Sequence, residues 1–92
     1  MPDIVRLFKG VKNEFEVEVV FGVTGEQSLR EAHTYDELVL LLEGALEIEF
    51  TGEAKPRSLK PLDLLKIPAG VEHLNTIKAP AKILVIHPDR TK

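Results

Sequence analysis

"ELVLLLEGALEIEF" (Glu37–Phe50) decides the fold of this 92-residue chain. Its first half is apolar at five consecutive positions, which suits a helix or a buried strand. Leucine favours helix, but the run is short for a lone helix and stops at Gly44. Its second half alternates: Leu46, Ile48 and Phe50 share one face, Glu47 and Glu49 the other. A period of two marks a half-buried strand. The stretch therefore reads as two strands in a hairpin turning at Glu43-Gly44, where glycine accepts positive φ. The first of these strands is apolar on both sides. One row is expected in the core and the other against a second subunit, because an exposed row of leucines would aggregate.

The same period runs outward in both directions. "EFEVEVVF" (residues 14–21) places Phe15, Val17, Val19 and Phe21 on an inner face and Glu14, Glu16 and Glu18 on a wet outer one. "SLREAH" (residues 28–33) reads as a strand with Leu29, Glu31 and His33 on one face, and "TYD" (residues 34–36) as a tight connection. "LDLLKIP" (residues 62–68) is a strand closed by the turn "PAG" (residues 68–70). "EHLNTI" (residues 72–77) continues extended with His73, Asn75 and Ile77 on one face, and "KILVIHP" (residues 82–88) is the last strand. The most basic stretch, "KPRSLK" (residues 55–60), carries Pro and Ser and reads as a solvated turn. No capping residue precedes an amphipathic helical run. The expectation is one all-β domain over residues 1–92, six to eight short strands forming a sandwich or a barrel.

Composition removes several functions. Twelve basic residues against 15 acidic give a net charge of -3, so nucleic acid is not the expected partner. The absence of cysteine excludes disulfides, thiolate catalysis and Cys-type zinc sites, and fits a cytoplasmic location. The N-terminus is charged too early for a signal peptide, and no apolar run approaches the roughly 20 residues that span a bilayer. A core this small makes a homodimer the expected assembly.

Glu31, His33 and Glu37 fall within seven residues, and His73 follows the rigid "PAG" turn. A divalent metal needs three or four N or O donors on a stiff frame, and two histidines with one carboxylate form the facial set of non-haem iron sites. A further carboxylate would make an N2O2 site. The local spacing equally suits a histidine capping a turn and a strand-end glutamate in water. Asn75 shares the face of His73 and is placed to donate behind it. Tyr35 is either a rim residue touching a ligand or a packing residue. His87, late in the chain, reads as structural or at the rim. No nucleophile triad, phosphate loop or dinucleotide fingerprint is present.

Residues 25–44 and 61–77 resemble the two motifs of the cupin superfamily. The first motif, G-x5-H-x-H-x3-4-E-x6-G, is met in spacing by Gly25, Glu31, His33, Glu37 and Gly44, with Glu31 in place of the first histidine. The second, G-x5-P-x-G-x2-H-x3-N, is met by Pro68, Gly70 and His73, with Leu62 in place of the glycine and Ile77 in place of the asparagine. The resemblance implies a small antiparallel β-barrel, or jelly roll, of the double-stranded β-helix type with a metal at its centre. Carried over by position, the metal ligands are Glu31, His33, Glu37 and His73. The ion implied is Fe, Mn, Zn or Ni. Glu31 either ligates, making the site harder and more anionic, or turns away into a salt bridge. The resemblance implies a metal-dependent enzyme acting on a small polar molecule, with dioxygenase, isomerase and decarboxylase chemistry all open. The loss of the first histidine and of the asparagine keeps a non-catalytic binding module open beside it, and a purely structural dimerisation barrel is the third reading.

Overall fold

The computed structural model describes residues 3–9, there the backbone and the Ile4 side chain, and residues 16–87. Six strands follow in order: β1 Asp3–Lys9, β2 Glu16–Gly22, β3 Glu37–Phe50, β4 Arg57–Leu59, β5 Leu64–Ile67 and β6 His73–His87. They form one antiparallel sheet in the order β1-β2-β6-β3-β4, with β5 also on β3. All the regular structure among the described residues is strand, as the alternation requires, and no helix is long and apolar enough to cross a membrane.

β3 and β6 form the spine of the barrel, and both correct the sequence reading. Glu43-Gly44 is no hairpin turn. Residues 37–50 run as one strand, paired along its length with β6 and irregular only between Leu41 and Leu46. The apolar runs read at residues 72–77 and 82–88 likewise belong, over 73–77 and 82–87, to one strand, broken in register where Ala79, Pro80 and Ala81 cross Gly44; residue 88 falls outside the described residues. Gly44 has φ +91, and a Cβ there would meet the Pro80 carbonyl oxygen and come within 2.8 Å of Ala81 Cα. Glycine at this place serves a bend and a close crossing rather than a chain reversal.

The bend folds the inner faces of both strands around one core. Val39, Leu41, Leu46, Ile48 and Phe50 of β3 pack with Ile77, Ala81 and Ile83 of β6, Ile67 of β5 and Leu59 of β4. Leu59 and Arg57 make "KPRSLK" partly a short strand on β3 rather than wholly a solvated turn. Residues 28–33 do not form a regular strand. They run along β6 through isolated bridges, Gln27 to Thr76 and Glu31 to His73, extending the edge that β2 occupies higher up. Glu31 and His73 exchange both backbone hydrogen bonds, at 3.0 and 2.9 Å.

The face assignment of β2 is reversed. Glu18 and Val20 line the interior cavity, and Glu16 is among the most deeply buried side chains, at 1% exposure. Val17 and Phe21 lie on the outer side, half-buried and exposed respectively, while Val19, on the same face by alternation, is buried as expected at 9% exposure. Glu14 and Phe15 fall outside the described residues. Hydrophobicity alone assigned the valines inward, but the sheet is apolar on both faces here. What holds carboxylates inside is a buried histidine, described next.

Candidate functional site

Two stretches that are distant in sequence, residues 33–37 and 68–73, meet at one end of the barrel. His33 stands on the irregular segment before β3, and its backbone carbonyl accepts a hydrogen bond from Gly70 N–H at 2.8 Å. The "PAG" turn is thereby docked against it, and Ala69 N–H donates to Asp36 Oδ1 at 2.9 Å. Gly70, at φ +82, permits this turn, and β6 starts three residues later with His73. Glu37 is the first residue of β3 and is buried.

One donor atom from each of His33, Glu37 and His73 lies within 4.8 Å of the others. His33 Nε2 is 3.4 Å from Glu37 Oε2. His73 is 1% exposed, and its Nδ1 is 3.1 Å from the Val71 carbonyl oxygen. A carbonyl only accepts, so Nδ1 carries the proton and Nε2 is left as a lone-pair donor. Glu31 is set apart from this group. Its Oε1 lies 3.6 Å from His33 Nε2, and its side chain is half exposed at the cavity mouth. The shared direction of Glu31 and His33 expected from strand alternation is present, although the segment is not a regular strand.

His87 lies inside the site. Of the two readings of it, structural or at the rim, the rim is excluded: it is buried, and its Nε2 is 2.7 Å from Glu37 Oε2, a contact made on a candidate metal ligand. Its Nδ1 faces Glu16 Oε1 at 3.4 Å and Glu18 Oε1 at 3.8 Å. Glu16 and His87 are register partners across β2 and β6, which explains how they meet. Burial by itself would lower the His87 pKa. The hydrogen bond and charge of Glu37, with Glu16 and Glu18 behind them, outweigh it and raise the pKa above the ordinary histidine value. The signal in the sequence was parity: Ile83, Val85 and His87 alternate on one face, and the first two line the cavity.

Tyr35 packs on the site histidines, stacked on His33 at 4.9 Å between ring centroids and edge-on to His87 at 4.9 Å. Asn75 does not support His73. Its backbone N–H donates to Ser28 Oγ at 2.9 Å, and its side-chain Oδ1 has no hydrogen-bond partner among the described residues.

The site opens onto a cavity of about 360 Å³. Glu31, His33, Glu37 and His87 line its polar end. Val20, Val39, Leu46, Ile77, Ile83 and Val85 form its apolar walls, and Gln27 and Ser28 contribute from the irregular segment.

No protein-family model and no curated protein matches the chain. Solved structures do match. A cupin superfamily protein from Desulfitobacterium hafniense DCB-2 is similar with a TM-score of 0.79 and 25% identity, over 92% of this chain and 76% of its own. A cupin-2 domain containing protein from Shewanella frigidimarina NCIMB 400 is similar with a TM-score of 0.74 and 26% identity, over 96% of this chain and 79% of its own. An RmlC-like cupin family protein with a double-stranded β-helix fold, from Methanocaldococcus jannaschii, reaches a TM-score of 0.84 at 12% identity, over 98% and 82%, which is a likeness of fold alone.

Proposed function

This chain is a member of the cupin superfamily, and on that premise we propose that it holds one divalent metal ion on His33, Glu37 and His73 and acts there on a small molecule in the adjoining cavity. The observation that carries the reading is the convergence of these three donors, two from residues 33–37 and one from the start of β6, within 4.8 Å of one another, with His33 and Glu37 also lining the cavity. The donor chemistry fits such an ion. Two imidazoles and a carboxylate form an N2O set suited to Fe, Mn, Zn or Ni, and the Val71 carbonyl fixes His73 in the tautomer that offers Nε2. Three protein ligands leave coordination positions for water or substrate, the arrangement of catalytic rather than structural sites. When bound, the ion would supply Lewis acidity.

The chain's own residues define the rest of the site. Glu31 stands at the mouth as an additional carboxylate, placed to ligate or to take up a proton. Tyr35 fixes the plane of His33, and His87 holds Glu37 in orientation. The reaction falls in the range of metal-dependent dioxygenase, isomerase or decarboxylase chemistry. A second reading, binding without turnover, is favoured by the apolar walls, which offer few groups to a reacting substrate.

The test is metal content by elemental mass spectrometry on wild type, His33→Ala and His73→Ala. Near-stoichiometric metal in wild type, lost in both folded variants, is the expected result. Absence of metal in wild type after reloading with Fe(II), Mn(II), Zn(II) and Ni(II) would overturn the reading.

We further propose a second copy of this chain as the occupant of the outer sheet face. Val19, Leu84, Leu40 and Leu64 stand in one register row across four strands there, with Val17, Ile86 and Leu38 in the next. Leu64 is 63% exposed. The charges flanking the face, Lys66 with Asp36 and Lys82 with Glu43, carry both signs equally. A two-fold copy would therefore meet complementary charge.

A further inference from the structure

We propose that Asn75 is a second recognition point of the cavity, and that the molecule taken there carries an amide-like edge, a hydrogen-bond donor beside an acceptor, one strand step from the group that meets the metal. The metal end of this inference rests on the reading above. The amide end rests on Asn75 and the cavity.

Asn75 shares the inner face of β6 with His73 and Ile77, and with Ile77 it lines the cavity. Across β3 its register partner is Ile48, at 0% exposure, and Leu46 stands opposite Ile77. The backbone of Asn75 is pinned to the irregular segment in both directions. Its N–H donates to Ser28 Oγ at 2.9 Å, and its carbonyl accepts from Ser28 N–H at 3.0 Å. Ser28 Oγ in turn donates to the Leu29 carbonyl at 3.0 Å, so that hydroxyl is committed to the backbone.

The side-chain amide has no such anchor. Oδ1 is buried without a hydrogen-bond partner among the described residues, and Nδ2 donates to none of them. A buried polar atom left unpaired works against folding, and an aliphatic side chain at this inner position would avoid that loss. Packing therefore does not account for an asparagine here, whereas a ligand that completes its hydrogen bonds does.

A primary carboxamide offers one acceptor and two donors in one plane. An amide or lactam edge matches both at once, in the way that asparagine matches the edge of adenine. A carboxylate only accepts, which leaves Oδ1 unpaired, and a single hydroxyl meets one atom at a time. The χ2 torsion of asparagine is broad, and no bond opposes its rotation, so the amide is free to turn its edge into the cavity. Residues two apart on a strand are separated by about 7 Å. One small molecule in a cavity of about 360 Å³ therefore reaches both Asn75 and an ion at His33, Glu37 and His73.

Hydroxamates test this with one constant metal-binding head. Probes with one to three methylenes end either in a primary amide or in an isopropyl group of the same shape. Each is titrated calorimetrically into metal-loaded wild type, Asn75→Leu and Asn75→Asp, with metal content measured on the same samples. At the best length the amide probe is expected to bind at least about tenfold tighter than its isopropyl counterpart in wild type, and to lose that advantage in both variants. Asn75→Asp keeps the size and removes the N–H donors, so it reads the pairing should Asn75→Leu not fold. In metal-free wild type, butanamide at millimolar concentration is expected to shift the Asn75 side-chain NH2 signals in 15N-resolved NMR spectra. Equal binding of the paired probes at every length, no binding of any amide probe by metal-loaded protein, or an amide preference that persists in the folded variants would overturn the proposal and leave Asn75 served by solvent. A protein that takes up no metal defeats the metal reading alone. The butanamide shift then decides this proposal, and its absence overturns it.

Discussion

His87 Nε2 lies 2.7 Å from Glu37 Oε2, while its Nδ1 faces Glu16 and Glu18. The two nitrogens are both directed at carboxylate oxygens, so the imidazole serves as a buried cation between β2 and β3. Removing it would leave carboxylates packed together without it. In metal-free protein His87→Phe is expected to destabilise the fold by about 2–3 kcal/mol, read from urea unfolding. The pH dependence follows from the raised pKa of His87. A group with a raised folded-state pKa contributes its full stability below its unfolded value, and that contribution is lost as pH rises through the folded value. The difference in stability between wild type and His87→Phe is therefore expected to be largest near pH 6 and smaller at pH 9. A difference independent of pH would show that His87 packs as a neutral ring.

Leu62 adopts φ +75, a left-handed conformation, with its side chain 76% exposed. It stands where the second motif has glycine. The turn is held in place by Leu62 N–H donating to the Leu41 carbonyl at 2.6 Å, so the backbone does not relax away from the strain. A non-glycine residue there costs about 1–2 kcal/mol. Leu62→Gly relieves that cost, loses little burial and returns roughly 0.5–1 kcal/mol through the entropy of the unfolded glycine. The net expectation is stabilisation of about 0.5–1 kcal/mol, seen as a melting temperature higher by about 4 °C. A lower melting temperature would mean that the exposed leucine makes a contact in solution, with a second copy as the first candidate.

Gly44 presents the opposite case, because its φ of +91 coincides with a backbone crossing. In Gly44→Ala the methyl group would strike the Pro80 carbonyl and Ala81 Cα, neither of which is a flexible side chain. Backbone strain and overpacking together are expected to cost about 3 kcal/mol. Gly25→Ala, also at positive φ but with open space around its Cβ, is the control and should cost visibly less in the same denaturation series.

These two glycines show where the sequence could be read and where it could not. Alternation in "ALEIEF" and the parity of His73, Asn75 and Ile77 identified strands and their inner faces, because a sheet with one core-facing side imposes a period of two. The spacing of His33, Glu37 and His73 likewise marked residues that do converge. Gly44 signalled a special backbone position, but positive φ serves a bulge as well as a hairpin, and only the crossing of Pro80 distinguishes them. The faces of β2 were inverted for a different reason. Glu16 and Glu18 look solvent-facing until His87, 71 residues beyond Glu16, is brought beside them. No local pattern encodes a pairing at that separation.

Leu40 and Leu41 are neighbours on β3 with opposite fates. Leu41 is 0% exposed and belongs to the central cluster, while Leu40 lies on the outer face in register with Leu84 and Leu64. Leu41→Lys would place an ammonium in the core without a partner, and the chain is expected to lose its cooperative unfolding transition altogether. Leu40→Lys should keep the circular dichroism spectrum and metal content of wild type, because its side chain can extend from the sheet into water. If the outer face joins two copies, that same variant should halve the mass measured by sedimentation equilibrium, since two-fold symmetry brings the new charge in twice. A folded Leu40→Lys protein of unchanged dimeric mass would remove this face from the interface. A monomeric wild type would remove the dimer itself and leave the leucine row as ordinary half-buried sheet surface.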